Sequence, residues 1–171
     1  MERHEHPACL PDEALLADVE ATPGRAGGPG GQHRNKVSTS VRLLHRPSGV
    51  VALASESRSQ PRNREQALLR LRGRLAVELR VALDLSTFEP SALFVRRTGG
   101  GSLSVSPEHR DAPALVAEAL DVLAAAGDDP ESAARALRVS TSRLVKVLKL
   151  QPDVLRTCNA RWREAGRATY R

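Results

Sequence analysis

The sequence has 171 residues, 40% hydrophobic and 27% charged, with a formal net charge of +6, which suits one medium domain or two small ones and points to an anionic partner. No apolar run approaches the length of a membrane span, and Met1 to Leu16, with Glu2, Glu5, Asp12 and Glu13, resembles neither a secretory signal nor an Arg-rich transit peptide, so a soluble cytoplasmic protein without membrane contact is expected. Only two cysteines occur, Cys9 and Cys158, in no metal-ligand spacing, so they read as reduced thiols and no metal is expected.

In chain order, Ala17 to Thr22 reads as a short strand that Pro23-Gly24 ends. The glycine-rich stretch Arg25 to Gln32 cannot form a regular element, and residues 33–39 are polar enough for a turn of helix. Ser40 to Arg46 alternates, with Val41, Leu43 and His45 on one face and Arg42, Leu44 and Arg46 on the other. Pro47-Ser48-Gly49 is a compact turn, and Val50 to Ala54 is the returning strand of a hairpin. From Pro61 to about Leu83 the period becomes helical. Leu68, Leu71, Leu75, Leu79 and Leu83 recur at steps of three or four, and Arg70 and Arg74 project away from that stripe. Ser59 suits the N-cap and Pro61 the first turn.

Residues 89–111 read as a linker with a short strand pair, Leu93–Val95 and Leu103–Val105. Leu115 to Leu123 is amphipathic and helical, and Gly127 ends it. Asp129-Pro130 caps a second helix through Leu137, and a tight turn at Arg138-Val139 leads to a third from about Ser140. Pro152 opens a fourth, in which Val154, Cys158 and Trp162 recur every four residues before Gly166. The predicted fold class is α+β. A short antiparallel sheet packs on one long helix over residues 1–88, a linker spans 89–111, and an all-α, helix-turn-helix-like module occupies 112–171.

The charge is uneven. Residues 1–22 carry a net of −5, residues 23–82 a net of +9, residues 83–111 a net of −1 and residues 112–171 a net of +3. Arginine supplies 23 of the 26 basic residues, and its planar fork suits bidentate contact with phosphate. The basic excess falls on the segment that holds the glycine loop. That loop lacks the Gly-Lys-Ser/Thr of a Walker-type phosphate site and the strand–helix glycine spacing of a dinucleotide fold. By composition alone it reads as a flexible linker.

The stretch Gly28-Pro29-Gly30-Gly31-Gln32-His33-Arg34-Asn35-Lys36, then the hairpin, then Glu56-Ser57-Arg58-Ser59-Gln60 and a basic helix, resembles the GGQ (RF-1) domain of class I peptide-chain release factors and their ribosome-rescue relatives. The likeness runs from about Ala17 to Leu83. It implies a ribosome-dependent hydrolase that cleaves the ester of peptidyl-tRNA in the peptidyl-transferase centre of 23S rRNA, with Gly30, Gly31 and Gln32 as catalytic residues and no cofactor. Attack by water creates a tetrahedral oxyanion, which the preorganised backbone amide of Gln32 can stabilise. Gly30 and Gly31 permit the backbone conformations and close approach this needs. No general base is required of the chain, in keeping with the lack of a Ser-His-Asp or Cys-His arrangement. Arg25, His33, Arg34, Lys36, Arg58, Arg62 and Arg64 are the expected RNA contacts. The resemblance also makes Gln32 the target of a glutamine N5-methyltransferase, which the intact mass of co-expressed protein checks.

The sequence departs from the family at Arg34, where valine is usual, and at Pro61, where histidine is usual. Only about twenty residues precede the loop and no stop-codon tripeptide is recognisable, so codon-independent release, as in rescue of stalled ribosomes, is the expected mode. In place of a disordered basic tail stands the helical module. Residues Ala133 to Leu148 resemble a helix-turn-helix in which Arg138 replaces the usual turn glycine, with Arg143, Lys146 and Lys149 placed to contact nucleic acid such as the rRNA of the mRNA channel. Arg161 to Arg171 reads as a short basic tail. The alternative function is a ribosome- or nucleic-acid-binding helix-turn-helix protein whose glycine loop is catalytically idle.

Overall fold

A computed structural model describes residues 6–24, 39–100 and 103–171. The chain is mixed α+β, as its sequence predicts. Among the described residues it has a three-stranded antiparallel sheet and seven α-helices. It divides into two compact units, one formed by Leu10–Leu75 and the other by Met1–Cys9 with Ala76–Arg171.

In the first unit, α1 (Asp12–Ala17) leads into β1 (Val19–Gly24), followed by β2 (Ser40–His45), β3 (Val51–Ala54) and α2 (Gln60–Glu78). Strand order is β1-β2-β3, both pairs antiparallel. The predicted alternation of β2 holds, with Val41, Leu43 and His45 buried and Arg42 and Leu44 half-buried. Ala54 and Ala52 of β3 stand opposite Val41 and Leu43 and are buried with them. Gly49 takes the left-handed conformation (φ +72°) that closes the hairpin. Two corrections arise in β1. It starts two residues later than expected, because Asp12–Ala17 is helical. It also includes Pro23 and Gly24, which oppose Val41 and Ser40; an edge strand tolerates proline because its free side needs no N–H donor.

Helix α2 begins where Ser59 was expected to cap it, with the Ser59 carbonyl accepting the Asn63 N–H at 3.1 Å. Its buried line is Asn63, Ala67, Leu71 and Leu75, each fully buried. The expected leucine stripe is displaced at both ends. Leu68 is only half-buried, and the helix stops at Glu78, so Leu79 and Leu83 lie beyond it. The stop has a physical cause in Arg80. Its guanidinium donates to the carbonyls of Ala76 and Val77, both at 2.9 Å, and to that of Leu79, satisfying acceptors that a helix end leaves orphaned. Flanking that line, Arg70 donates to the Leu53 carbonyl at 2.7 Å and Arg74 to that of Val51, fastening α2 to the outer side of β3. Arg72 reaches Asp12 at 2.7 Å and ties α2 to α1.

The second unit holds a 3-10 turn (Pro7–Cys9), α3 (Ala92–Thr98), α4 (Ala112–Ala125), α5 (Pro130–Ala136), α6 (Thr141–Leu148) and α7 (Val154–Glu164). Residues 112–123 of α4 are all buried, which makes it the central helix. Two acidic side chains on it are buried and hydrogen-bonded. Glu118 accepts from the Ser91 N–H at 2.7 Å and the Ser91 hydroxyl at 2.6 Å, and Asp121 accepts from the Val81 N–H at 3.0 Å. The expected strand Leu93–Val95 is instead helical, in α3. Ser91 Oγ accepts the Phe94 N–H at 3.1 Å as an N-cap, and Phe94 is fully buried, so capping and burial outweigh the strand preference of a short apolar run. Leu103 and Val105 pack on the core without a ladder.

The later helices follow the sequence closely. Gly127 (φ +64°) follows α4, the Asp129 carboxylate caps α5 through the Ser132 N–H at 2.9 Å, and Ser140 Oγ caps α6 through the Arg143 N–H at 3.2 Å. Val154, Cys158 and Trp162 of α7 are buried. The basic residues after α7 do not form the simple tail expected, because Asn159 brackets Tyr170 by accepting its N–H at 2.9 Å and donating to its carbonyl at 2.7 Å. The Tyr170 ring meets Trp162 edge-on at 5.5 Å. No helix among the described residues is long and apolar enough to cross a membrane.

Candidate catalytic and RNA-facing site

The expected catalytic residues Gly30, Gly31 and Gln32, and with them Arg25, His33, Arg34 and Lys36, lie outside the described residues. The structure describes the frame on either side. Gly24 and Ser40 are partners at one end of the β1–β2 ladder, so residues 25–39 leave and rejoin the sheet at the same end. The ladder carries that end on a two-strand ribbon whose inner face is fixed by the burial of Val41 and Leu43.

The first turn of α2 lies beside this end. A shallow cleft of about 270 Å³ is lined by Ala21, Thr22, Pro23, Val41, Gln60, Pro61 and Arg64, which brings the last residues of β1 together with Arg64. Arg58, Arg62 and Arg64 are all exposed, on the segment that leads into α2 and on its opening turns. Exposed guanidinium groups near a helix N-terminus are suited to phosphate. Pro61 also lines the cleft. Glu56 pairs with Arg70 at 2.7 Å, and that hydrogen bond holds its carboxyl below the usual range.

The sequence reading missed Asn63. It is fully buried, and its side-chain amide is used three times. Nδ2 donates to the Thr39 carbonyl at 2.6 Å and to the Ser57 carbonyl at 2.8 Å, while Oδ1 accepts the Ser57 N–H at 2.9 Å. The available signal was its spacing, four residues ahead of Ala67 and eight ahead of Leu71 on the buried line. A polar residue in a basic stretch reads as surface.

Arg143, Lys146 and Lys149 belong to the other unit. Lys146 is exposed on α6 and Lys149 at its C-cap. Arg143 is only partly exposed and donates to the Gly100 carbonyl at 3.2 Å, so part of its guanidinium is occupied within the fold. Arg138 stands between α5 and α6 at φ +57°, the left-handed conformation for which a helix-turn-helix ordinarily uses glycine. Among the described residues no group of three or more His, Cys, Asp or Glu side chains is arranged to hold a metal ion.

Comparison with known proteins agrees with this frame. Residues 14–89 match the RF-1 domain model. Peptide chain release factor 1 of Caldicellulosiruptor bescii is 48% identical over 58 residues, 34% of this chain and 16% of the relative. The chloroplastic peptide chain release factor PrfB1 of Arabidopsis thaliana is 45% identical over 73 residues, 40% of this chain and 16% of the relative. Peptide chain release factor 1 of Chlorobaculum tepidum is 52% identical over 63 residues, 37% of this chain and 16% of the relative. Residues 14–89 are therefore a release-factor GGQ domain. The match spans about a sixth of the length of each of these relatives and does not reach α4 to α7.

Proposed function

We propose that this chain hydrolyses the ester of peptidyl-tRNA on the ribosome and releases the nascent peptide without reading a codon. The observation that carries the proposal is the Gly30-Gly31-Gln32 sequence on a segment rooted at the Gly24–Ser40 end of a release-factor GGQ domain. In this reading the Gln32 backbone amide donates to the oxyanion that forms as water attacks the ester carbonyl, and its side-chain amide shapes the space that admits water. The ribosomal peptidyl-transferase centre and the substrate supply proton transfer. Arg58, Arg62 and Arg64 take phosphate contacts beside the loop, and Lys146 and Lys149 offer a second basic surface to rRNA, including that of the mRNA channel.

The test is release of labelled peptide from ribosomes stalled with and without mRNA in the A-site channel. Gln32→Pro, which removes the backbone donor, and Gly31→Ala, which restricts the backbone that presents it, are expected to lower release by about 10²-fold or more, the scale of losing one oxyanion donor, while ribosome binding is kept; Gln32→Ala keeps that N–H and reads the side chain's part alone. Release that requires a particular codon in the A site would defeat the codon-independent part alone.

A second reading rests on Arg138, whose left-handed conformation completes the turn of a helix-turn-helix between α5 and α6. In that reading the module binds nucleic acid and the loop is idle. It would lead if wild type and Gln32→Pro gave the same background release from stalled ribosomes while Lys146→Glu removed binding to duplex DNA at moderate salt.

A further inference from the structure

We infer that the cleft between β1 and the first turn of α2 is a seat for one unpaired nucleobase of single-stranded RNA, with Arg64 on the adjoining phosphate. The inference deepens the RNA-contacting part of the release reading and rests on that part, not on hydrolysis. In the β1–β2 ladder Ala21 stands opposite Leu43 and Pro23 opposite Val41, and residues directly opposite share a face of the sheet. Ala21 and Pro23 therefore belong to the inner face, yet they are exposed while Leu43 and Val41 are buried. The fold leaves this end of its apolar face open, and Ala21, Pro23, Val41 and Pro61 line the cleft there. Its volume of about 270 Å³ lies below the roughly 300–1,000 Å³ of sites for drug-sized ligands, a size that suits a single flat ring system.

The polar groups at the cleft decide the class of ligand. Thr22, Gln60 and Arg64 complete the lining, and none of the described residues is a hydrogen-bond or ion-pair partner of the Gln60 amide or the Arg64 guanidinium. Other arginines of this unit serve the fold. Arg46 donates to the Ala17 carbonyl at 2.6 Å, Arg70 to that of Leu53, and Arg72 pairs with Asp12. Arg64 is left for an outside anion, and it is the only charged residue lining the cleft. The apolar floor calls for a ring. A carboxamide, with donors and an acceptor in one plane, matches the hydrogen-bonding edge of a base. A nucleotide combines all three demands. Residues 10–75 contain no Phe, Tyr or Trp, so in place of the aromatic platform usual for single-stranded RNA the base rests on aliphatic and proline surface. Arg58 and Arg62, exposed on the same stretch of chain, offer phosphate contacts to neighbouring nucleotides, which favours RNA over a free nucleotide.

The experiment titrates the full chain, followed by amide-resolved NMR, with the four ribonucleoside monophosphates, with ribose phosphate and with a short single-stranded RNA. Shifts are expected at Ala21, Thr22, Val41, Gln60 and Arg64. At least one nucleotide should bind about 10-fold tighter than ribose phosphate, the scale of a paired base edge, and the RNA tighter still. Gln60→Ala should weaken nucleotide binding about fivefold or more and leave ribose phosphate within about twofold, whereas Arg64→Gln should weaken both. Gln60→Glu, which suits a helix N-terminus, should lose the same base discrimination without weakening α2. Equal binding of nucleotides and ribose phosphate, unchanged nucleotide binding by both Gln60 variants, or shifts confined to other parts of the chain overturn the inference. RNA that binds no tighter than the best mononucleotide makes the occupant a free nucleotide and overturns it as well. Peptide release by wild type is measured in parallel. Its absence counts against the hydrolase reading, while the base-dependence of RNA binding remains the measure of the cleft.

Discussion

His45 shows how a single residue ties the hairpin to pH. It is buried on the inner face of β2, and its Nδ1 lies 2.7 Å from the Ser48 hydroxyl in the turn. Burial lowers its pKa from 6.5, partly opposed by the charge of Asp18. The folded form therefore binds a proton less readily than the unfolded form. Stability from this group is complete above about pH 6.5 and declines as pH falls from there through the folded-state value, levelling off below it. Urea midpoints measured from pH 7.5 to 5 should drop for wild type, and the part due to this group should vanish in His45→Gln. His45 was legible in the sequence because alternation alone puts it inward. Asn63 was not. A buried amide depends on neighbours that only the folded chain supplies, and its residue type announces no such role.

Elements were legible wherever period and punctuation agreed. Asp129-Pro130, Ser140 and Gly127 each mark a helix end by local chemistry, and the structure places helix ends there. Local chemistry fails where the deciding term is tertiary. Leu93-Phe94-Val95 is a plausible strand in isolation, yet burial of Phe94 and the Ser91 cap make it helical. The end of α2 escaped for the same reason, since the leucine period continues past Glu78 while Arg80 folds back over the last carbonyls. The spacing that identified α7 has an energetic consequence. Trp162 is fully buried, donates from Nε1 to the Asp128 carbonyl at 2.9 Å and holds the Tyr170 ring. Trp162→Ala should cost about 3–5 kcal/mol, read as a fall in the chemical-denaturation midpoint. A loss under about 1 kcal/mol would show that α7 contributes little to the helical core.

At the scale of the whole chain, charge is the property the sequence states most directly. The net of +9 over residues 23–82 falls mainly on a unit whose exposed arginines include Arg58, Arg62 and Arg64. Binding of such a surface to RNA releases counterions, so affinity for ribosomes should fall steeply as salt rises. Replacing Arg58, Arg62 and Arg64 by glutamine should flatten the plot of log affinity against log salt by about one per lost phosphate contact. An unchanged slope would remove these residues from the RNA-facing surface. The division into units was less legible than the charge. It falls at Leu75–Ala76, inside α2, where the sequence offers no proline, glycine run or change of composition.

The bonds from Arg70 and Arg74 to β3 matter for how the protein behaves when concentrated. β3 is an edge strand, and it carries Leu53 with 58% of its surface exposed. A bare edge with a protruding leucine is a template on which a strand from another molecule can add, the first step toward aggregation. Here the outward carbonyls of Val51 and Leu53 are already occupied by guanidinium groups, and a further strand would find both acceptors taken and positive charge in its path. The basic helix thus guards the sheet against its own copies, leaving the opposite edge, β1, to hold the root of the glycine segment.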